Sequence, residues 1–239
     1  MMNATAIRLL QQENIRLTKD VEALTEKNQS LYRYFELAQK FYWATLQISG
    51  EANPFRLLNE LLYETLMVVE ARDGSLSRLD ATKEELVFLL VHGDLRHRLR
   101  GYRLSSNTGI AGWVVNNRLP IIVNDPRQDW RFSATVDAEF GFLTQSIVSV
   151  PMISRNRLLG VIQLVNKRDH EFTEADVTLL LFLGQVAVIA LEEVHVRLQS
   201  GQGTEEDLLN PTYQEDAPTT AEAPFLVGVD PVFAELLQG

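Results

Sequence analysis

The hydrophobic pattern is densest in two neighbouring runs, residues 146–153 and 158–165, which are separated by the polar residues 154–157. Both runs have the length of a strand and are rich in Val, Ile and Leu, so they predict a β-hairpin. Apolar residues occupy both the odd and the even positions of each run, and so both faces of the expected strand. This pattern is typical of strands that are covered on both faces. Pro151 has no N–H for a central ladder, so we expect a bulge or an unpaired position there.

Two polar residues, Ser149 and Gln163, interrupt these apolar runs. A buried polar side chain needs a hydrogen-bond partner, which can be the backbone, water or a ligand. For either residue considered alone, we favour the backbone as the partner.

The first 49 residues carry a heptad pattern. Leucine with asparagine at the companion positions favours a parallel two-stranded coiled coil, because paired asparagines satisfy each other only in register. We therefore predict a dimerisation helix over residues 1–49; the alternative is a single amphipathic helix that lies on its own domain. The leucine positions, continued by Ala38, are Leu10, Leu17, Leu24 and Leu31, and the companion positions are Ile7, Asn14, Val21, Asn28, Phe35 and Tyr42.

Between these regions the pattern predicts a helix that begins at Asn53 and Pro54, an N-cap followed by a proline in the first turn. We expect this helix to end at Asp73-Gly74. Strands are expected at residues 75–79 and 85–91, where they would form a second hairpin.

A third helix is predicted near Gly109, with Asn107 or Thr108 as its cap. The first N–H groups of a helix lack internal partners and can bind an anion. Gly109 and Gly112 would allow a ligand or another backbone to come close. A short strand is expected at residues 120–123.

Two stretches near this helix have open interpretations. Residues 94–103 hold four arginines and His97, which suits an anion or partner patch, although a solvated surface segment is favoured. Residues 129–142 hold four aromatic residues in an irregular or weakly helical stretch, which could cover a pocket or merely cap the core of the sheet.

The last predicted element is a long helix that begins after Thr173 and runs to about Leu198. Thr173 and Asp176 fit a capping box, with Asp in the place of Glu. Much of the helix is apolar all round, so we expect it to be buried on more than one side and to extend the dimer interface.

The composition narrows the class of protein. The 239 residues include no cysteine, which excludes disulfides, cysteine catalysis and a thioether-linked chromophore. No apolar run of 18 residues and no signal pattern is present, so we expect a cytoplasmic protein without a membrane span.

The net charge of −10 is concentrated at the C-terminal end, because residues 200–239 hold eight acidic residues and no Lys or Arg. Nucleic acid is therefore not an expected partner. The composition of this segment predicts an acidic, mostly disordered tail. Residues 225–237 regain hydrophobicity, either as a docking peptide or simply as the end of the chain.

Three stretches together, residues 109–125, 146–167 and 172–191, resemble a GAF domain. The resemblance implies an α+β fold over residues 50–199, with a central antiparallel β-sheet and flanking helices, preceded by the N-terminal coiled coil. Helices would pack on one face of the sheet, and a small-molecule pocket would lie on the other.

The resemblance is strongest to GAF domains of the phosphodiesterase type, which bind cyclic nucleotides. Their Asn-Lys, Phe and Asp-Glu signature is matched by Asn166, Lys167, Phe172 and Asp176, while Val177 replaces the glutamate. The resemblance gives these residues a structural role, in which the Lys–Asp pair ties a loop to the last helix.

The same resemblance implies a set of ligand-binding positions. The phosphate would meet the backbone amides of Ile110 and Ala111, and Thr144 would line the purine site. Three positions depart from the family pattern, so a cyclic nucleotide, another small molecule and an empty pocket all stay open. These departures are Ser133 in place of a tyrosine, Phe140 in place of a second threonine and Gln163 in place of a glutamate.

The function expected from these features is a non-catalytic sensory and dimerisation module. It would form a homodimer through the N-terminal coiled coil and the flanking helices, and would signal to a protein partner. The alternatives are a ligand-free adaptor that acts by protein–protein interaction, or a fragment of a GAF-containing transcription activator or signalling enzyme. The methionine sulfoxide reductase activity of some GAF-like proteins needs cysteines and is excluded.

Overall fold

The computed structural model describes residues 4–50 and 53–201, with side chains from residue 7 onward. It contains α1 (Ala4–Gln47), α2 (Pro54–Val69), β1 (Ala71–Asp80), β2 (Glu85–His92), α3 (Arg96–Leu99), β3 (Arg103–Ser105), α4 (Gly109–Asn117), β4 (Ile121–Val123), α5 (Thr135–Phe140), β5 (Ile147–Ser154), β6 (Arg157–Lys167) and α6 (Glu174–Gln199). The strands form one antiparallel sheet in the order β3-β2-β1-β6-β5-β4. The α+β class and the central antiparallel sheet are therefore confirmed.

The hairpin predicted around residues 154–157 is present as β5 and β6, with Ser154 opposite Arg157. Pro151 is paired in register with Val161. The register of the two strands shifts one residue later, between Met152 and Ile153. The bulge therefore follows the proline by one residue.

The end of α2 differs from the prediction. The helix ends at Val69, because Glu70 adopts a left-handed conformation with φ 62° and its N–H bonds to the carbonyl of Leu66. Asp73 and Gly74, which were expected to terminate the helix, lie inside β1. At Gly74 a β-carbon would come within 3.1 Å of the Leu66 side chain, so the strand and the helix pack closely.

One face of the sheet is covered by α2 and α6, and the C-terminal part of α1 packs against these two helices. Leu62, Leu76, Ile162 and Leu180 are almost completely buried in this layer. Burial of such side chains is the dominant favourable term in folding, at about 25 cal/mol for each Å² of apolar surface. The opposite face of the sheet is therefore the one left for a binding site.

The last helix, α6, begins as predicted with a complete capping box between Thr173 and Asp176. Among the described helices it alone has the length and hydropathy that could cross a membrane, with a mean hydropathy of 2.0 over 18 residues. Within the fold, 61% of that window is buried, so the helix uses its apolar surface to cover the sheet.

The N-terminal helix has two different faces. Leu37, Phe41 and Ala44 are buried against the domain, and Lys40 pairs with Glu64 on α2 at 2.9 Å. The heptad positions lie on another face and remain exposed in the single chain, as Leu10, Leu17, Leu24 and Leu31 are 52–66% exposed. The helix therefore lies on its own domain only near its C-terminal end.

The predicted acidic tail falls outside the described residues apart from Ser200 and Gly201. The same is true of residues 225–237, for which a docking role was considered.

Candidate functional site

A cavity of about 110 Å³ lies on the face of the sheet that the long helices do not cover. Its floor is formed by β1, β6 and β5, and one side by β2. The start of α4 and the segment of residues 132–144 close it from above. Phe88, Val91, Ile110, Phe132, Phe142 and Val165 make its walls mainly apolar.

A row of polar residues crosses the middle of this face of the sheet. Ser75 on β1 lies opposite Gln163 on β6, and Gln163 lies opposite Ser149 on β5. Residues that are paired in this way project to the same face. Ser75 and Gln163 line the cavity, and the Ser149 hydroxyl is fully buried without a hydrogen-bond partner among the described residues.

The first turn of α4 reaches the cavity through Gly109, Ile110 and Ala111. Thr108 is the N-cap, but its side chain makes no capping hydrogen bond. Gly109 has φ +66°, a conformation that favours glycine, and the Ser133 backbone passes close to it. The helix start is thus in close contact with residues 132–144, the segment that covers the cavity. The first N–H groups of a helix have no partner within the helix.

The covering segment is held together by its own side chains. Asp137 accepts hydrogen bonds from the backbone N–H of Thr144 at 2.9 Å and from the Thr144 hydroxyl at 2.6 Å. The hydroxyls of Ser133 and Thr135 are 2.8 Å apart and pair with each other. The Thr144 hydroxyl donates within the protein, so only its lone pairs remain for a ligand.

Of the six ligand positions expected from the sequence, five line the cavity: Ile110, Ala111, Ser133, Thr144 and Gln163. Phe140 is not among the lining residues. Its ring packs edge-on against Tyr102 at 5.1 Å between centroids and lies 4.9 Å from the Arg98 guanidinium carbon. Arg98 also donates to the Phe140 carbonyl at 2.8 Å, so Phe140 fastens α5 to α3.

Asp73 is a cavity residue that the sequence reasoning missed. Its Oδ1 accepts the backbone N–H of Asp94 at 2.8 Å, whereas its Oδ2 has no hydrogen-bond partner among the described residues. The residue is only 7% exposed, and burial raises the pKa of its carboxyl above the ordinary value. The only sequence signal was an acidic residue two positions before the predicted strand at residues 75–79, which also suits a helix end.

The asparagine of the predicted structural motif organises the segment before β5. Asn166 has φ +61°, its Oδ1 accepts the Gln145 N–H at 2.7 Å, and its Nδ2 donates to the Leu143 carbonyl at 2.9 Å. These bonds fix the chain on both sides of Thr144, a cavity residue.

The charged pair of the motif lies at the junction of β6 and α6. Lys167 Nζ is 2.6 Å from Asp176 Oδ2, and the same oxygen accepts the Thr173 N–H at 2.7 Å. Asp176 is fully buried, and the Lys167 ammonium lies 5.8 Å from the centroid of the Phe172 ring. A buried carboxylate needs such partners, because an unpaired charge there would be costly.

The sequence model described as "GAF domain" matches residues 53–192, which is more than half of the chain. The chain belongs to the GAF domain family. This GAF domain includes α2, the whole sheet and most of α6, while α1 precedes it. GAF domains are regulatory or sensory modules.

Curated relatives of this GAF domain are found among phosphodiesterases. It is 30% identical over 118 residues to "Probable 3',5'-cyclic phosphodiesterase pde-5" of Caenorhabditis elegans. These residues make up 46% of this chain and 16% of the relative. It is 32% identical over 69 residues to the cone cGMP-specific 3',5'-cyclic phosphodiesterase subunit alpha' of Mus musculus. These residues make up 28% of this chain and 8% of the relative. The matches thus span only a small part of these relatives.

Solved structures show the same fold. The GAF domain of a phosphoenolpyruvate-protein phosphotransferase from Coxiella burnetii superimposes with a TM-score of 0.59 at 20% identity, covering 70% of this chain and 98% of that one. The corresponding GAF domain from Acinetobacter has a TM-score of 0.55 at 17% identity, with coverage of 70% and 98%. At these identities the likeness concerns the fold alone.

Proposed function

We propose that this chain is a non-catalytic sensory module that binds a small ligand in the cavity and signals through a pair of α1 helices to a protein partner in the cytoplasm. The observation that carries the proposal is the path of β6. Gln163 on this strand lies in the cavity floor, and four residues later Lys167 pairs with Asp176. Asp176 in turn accepts a hydrogen bond from Tyr34 on α1. The cavity and the helix are therefore joined through one strand end.

Pairing of two copies along α1 is supported by the exposed heptad face. Ile7, Val21 and Phe35 are 41–61% exposed and lie at the companion positions of the exposed leucines. A long, exposed, mainly apolar stripe of this kind marks an interaction surface. Asn14 and Asn28 interrupt the stripe at regular spacing and would fix a parallel register.

A cyclic nucleotide is the first ligand class to test, because the curated relatives are named as cyclic-nucleotide phosphodiesterases. The start of α4 offers backbone N–H groups to a phosphate. Coupling to α1 requires the ligand to bind two arrangements of the domain with different affinities.

The direct experiment is calorimetric titration of the full chain with cyclic AMP and cyclic GMP. The proposal expects saturable heat with at least one of them, and loss of that heat in Val165→Phe, which fills the cavity from its floor. Leu119→Phe introduces the same ring at a position that is 56% exposed and outside the cavity lining, and it should leave binding intact.

A second candidate is a ligand-free adaptor that works by dimerisation alone. The size of the cavity favours it, because about 110 Å³ is below the roughly 300–1,000 Å³ typical of small-molecule sites. Absence of heat, together with no ligand retained in native mass spectrometry, would support the adaptor.

A further inference from the structure

We infer that Asp73 is the recognition group of the cavity and that its carboxylate receives an N–H donor group, of amidine or amine type, at the buried end of the ligand. The inference rests on the proposed ligand-binding function and adds the chemistry of the ligand. The family motif and the ligand positions expected from the sequence do not include Asp73.

One carboxylate oxygen of Asp73, on the cavity face of β1, lacks a hydrogen-bond donor among the described residues. Leu76 is buried in the layer that packs against the helices, so Asp73 and Ser75, at the alternate positions of β1, project to the cavity face. One oxygen of Asp73 is held by the Asp94 N–H, and the other has no partner among the described residues. A buried acceptor without a donor is costly, and more so when it is charged.

Asp73 has no positive side chain beside it in the lining of the cavity, as far as the described residues show. No Lys or Arg is found among the described residues that line the cavity. His92 is directed to the other side, where its Nε2 meets the Asn59 carbonyl at 3.1 Å, and burial lowers its pKa. The guanidinium of the adjacent residue, Arg72, is exposed and pairs with Asp94 at 3.4 Å.

The second cavity carboxylate is already occupied, which singles out Asp73. Asp137 binds both the N–H and the hydroxyl of Thr144 through its two oxygens. A ligand donor entering the cavity therefore finds one free carboxylate oxygen, that of Asp73.

The surroundings of Asp73 suit a flat apolar body behind the donor group. Ser75 lies two residues further along β1, and Gln163 faces Ser75 across the strand pair, so both can bond a second N–H. Phe88 and Phe142 line the same cavity. An apolar cavity of about 150 Å³ accepts benzene, so a cavity of about 110 Å³ suits a ligand part no larger than a single ring.

The test uses three single-ring probes on the full chain: benzamidine, benzoate and toluene. The first two have nearly the same shape and opposite charge, and toluene is neutral. Affinities are measured by ligand-observed NMR and calorimetry at pH 7.

We expect benzamidine to bind more tightly than toluene and benzoate not to bind. Asp73→Asn should weaken benzamidine by about tenfold or more and leave toluene unchanged. Asp80→Asn makes the same substitution at the other end of β1 and should change neither probe.

Four results would overturn the inference, and they separate it from the proposed function. Equal binding of benzamidine and benzoate, or unchanged benzamidine affinity in Asp73→Asn, removes the role of Asp73 but leaves a ligand-binding cavity. Binding of toluene without binding of benzamidine would likewise remove the role of Asp73 but leave a ligand-binding cavity. If none of the three probes binds to the folded chain and neither cyclic nucleotide gives heat, both the inference and the ligand-binding function fail.

Discussion

The hydroxyl of Tyr34, in the C-terminal third of α1, donates a hydrogen bond to the carboxylate of Asp176 in the first turn of α6. Burial, with the neighbouring carboxylate of Asp176, raises the pKa of Tyr34 far above its ordinary value, so the hydroxyl stays protonated. Asp176 also holds Lys167 at the end of β6. One buried carboxylate thus connects the N-terminal helix, the central sheet and the last helix.

Replacement of Tyr34 by phenylalanine tests this connection. The variant keeps the ring but leaves Asp176 with one donor fewer, so the free energy of unfolding should fall by about 1–2 kcal/mol. The shift is measured as a lower urea midpoint at unchanged slope. Tyr32→Phe is the matched control, because Tyr32 is 50% exposed on the same helix and should give no shift. Equal midpoints for the two variants would contradict the connection.

The heptad face of α1 can be tested by introducing charge. Leu24→Glu places a carboxylate in the proposed seam, so we expect the chain to change from dimer to monomer in size-exclusion chromatography with light scattering. The side chain is 66% exposed in the single chain, so the domain itself should stay folded. Ile15→Glu is the control, because Ile15 is 60% exposed but lies off the seam. Dissociation by both variants, or by neither, would speak against pairing along this stripe.

The raised pKa of Asp73 predicts a pH-dependent gain in stability for Asp73→Asn. Burial and the Asp94 charge disfavour the ionised carboxylate in the folded chain, while Arg72 opposes this effect. The fold is therefore most stable below the ordinary carboxyl pKa, where Asp73 is protonated in both the folded and the unfolded chain. Its free energy of unfolding falls as pH rises through the raised pKa, because the buried carboxyl then has to ionise. We expect the variant to be more stable at pH 7, by about 1 kcal/mol, with a gain that vanishes below about pH 4. A lower melting temperature at pH 7 would contradict this account.

The start of α4 should not tolerate a side chain at Gly112. A β-carbon there would lie 2.5 Å from the Asn107 carbonyl carbon, which belongs to rigid backbone. Gly112→Ala should therefore cost about 1–3 kcal/mol despite its better helix propensity. Gly184→Ala on α6 meets its nearest atom at 3.9 Å and should gain about 0.5–1 kcal/mol. Thermal unfolding of both variants makes the comparison, and a gain in both would show that the Asn107 backbone moves easily.

The sequence predicted the elements whose signals are local. The two Val- and Ile-rich runs became β5 and β6, and the Thr173 capping box marks the start of α6. The end of α2 was predicted wrongly, because Glu70 takes the left-handed conformation that favours glycine or asparagine, and because Asp73-Gly74 suits both a turn and a strand.

The parts of the site that the sequence missed depend on contacts between distant segments. Residues 94–103 were favoured as a solvated segment, yet Leu95 and Leu99 are buried beside the cavity. Phe140 was expected in the ligand site and instead packs on Tyr102 of another loop. The hydrogen bonding of Asp73 depends on Gly93 and Asp94, which follow the neighbouring strand β2. No local sequence pattern encodes this contact.

The mass of the full chain in solution tests the central claim most directly, because signalling through paired α1 helices requires two copies. Light scattering at micromolar concentration should give twice the mass of one 27.1 kDa chain. A mass equal to a single chain under the same conditions would contradict the account.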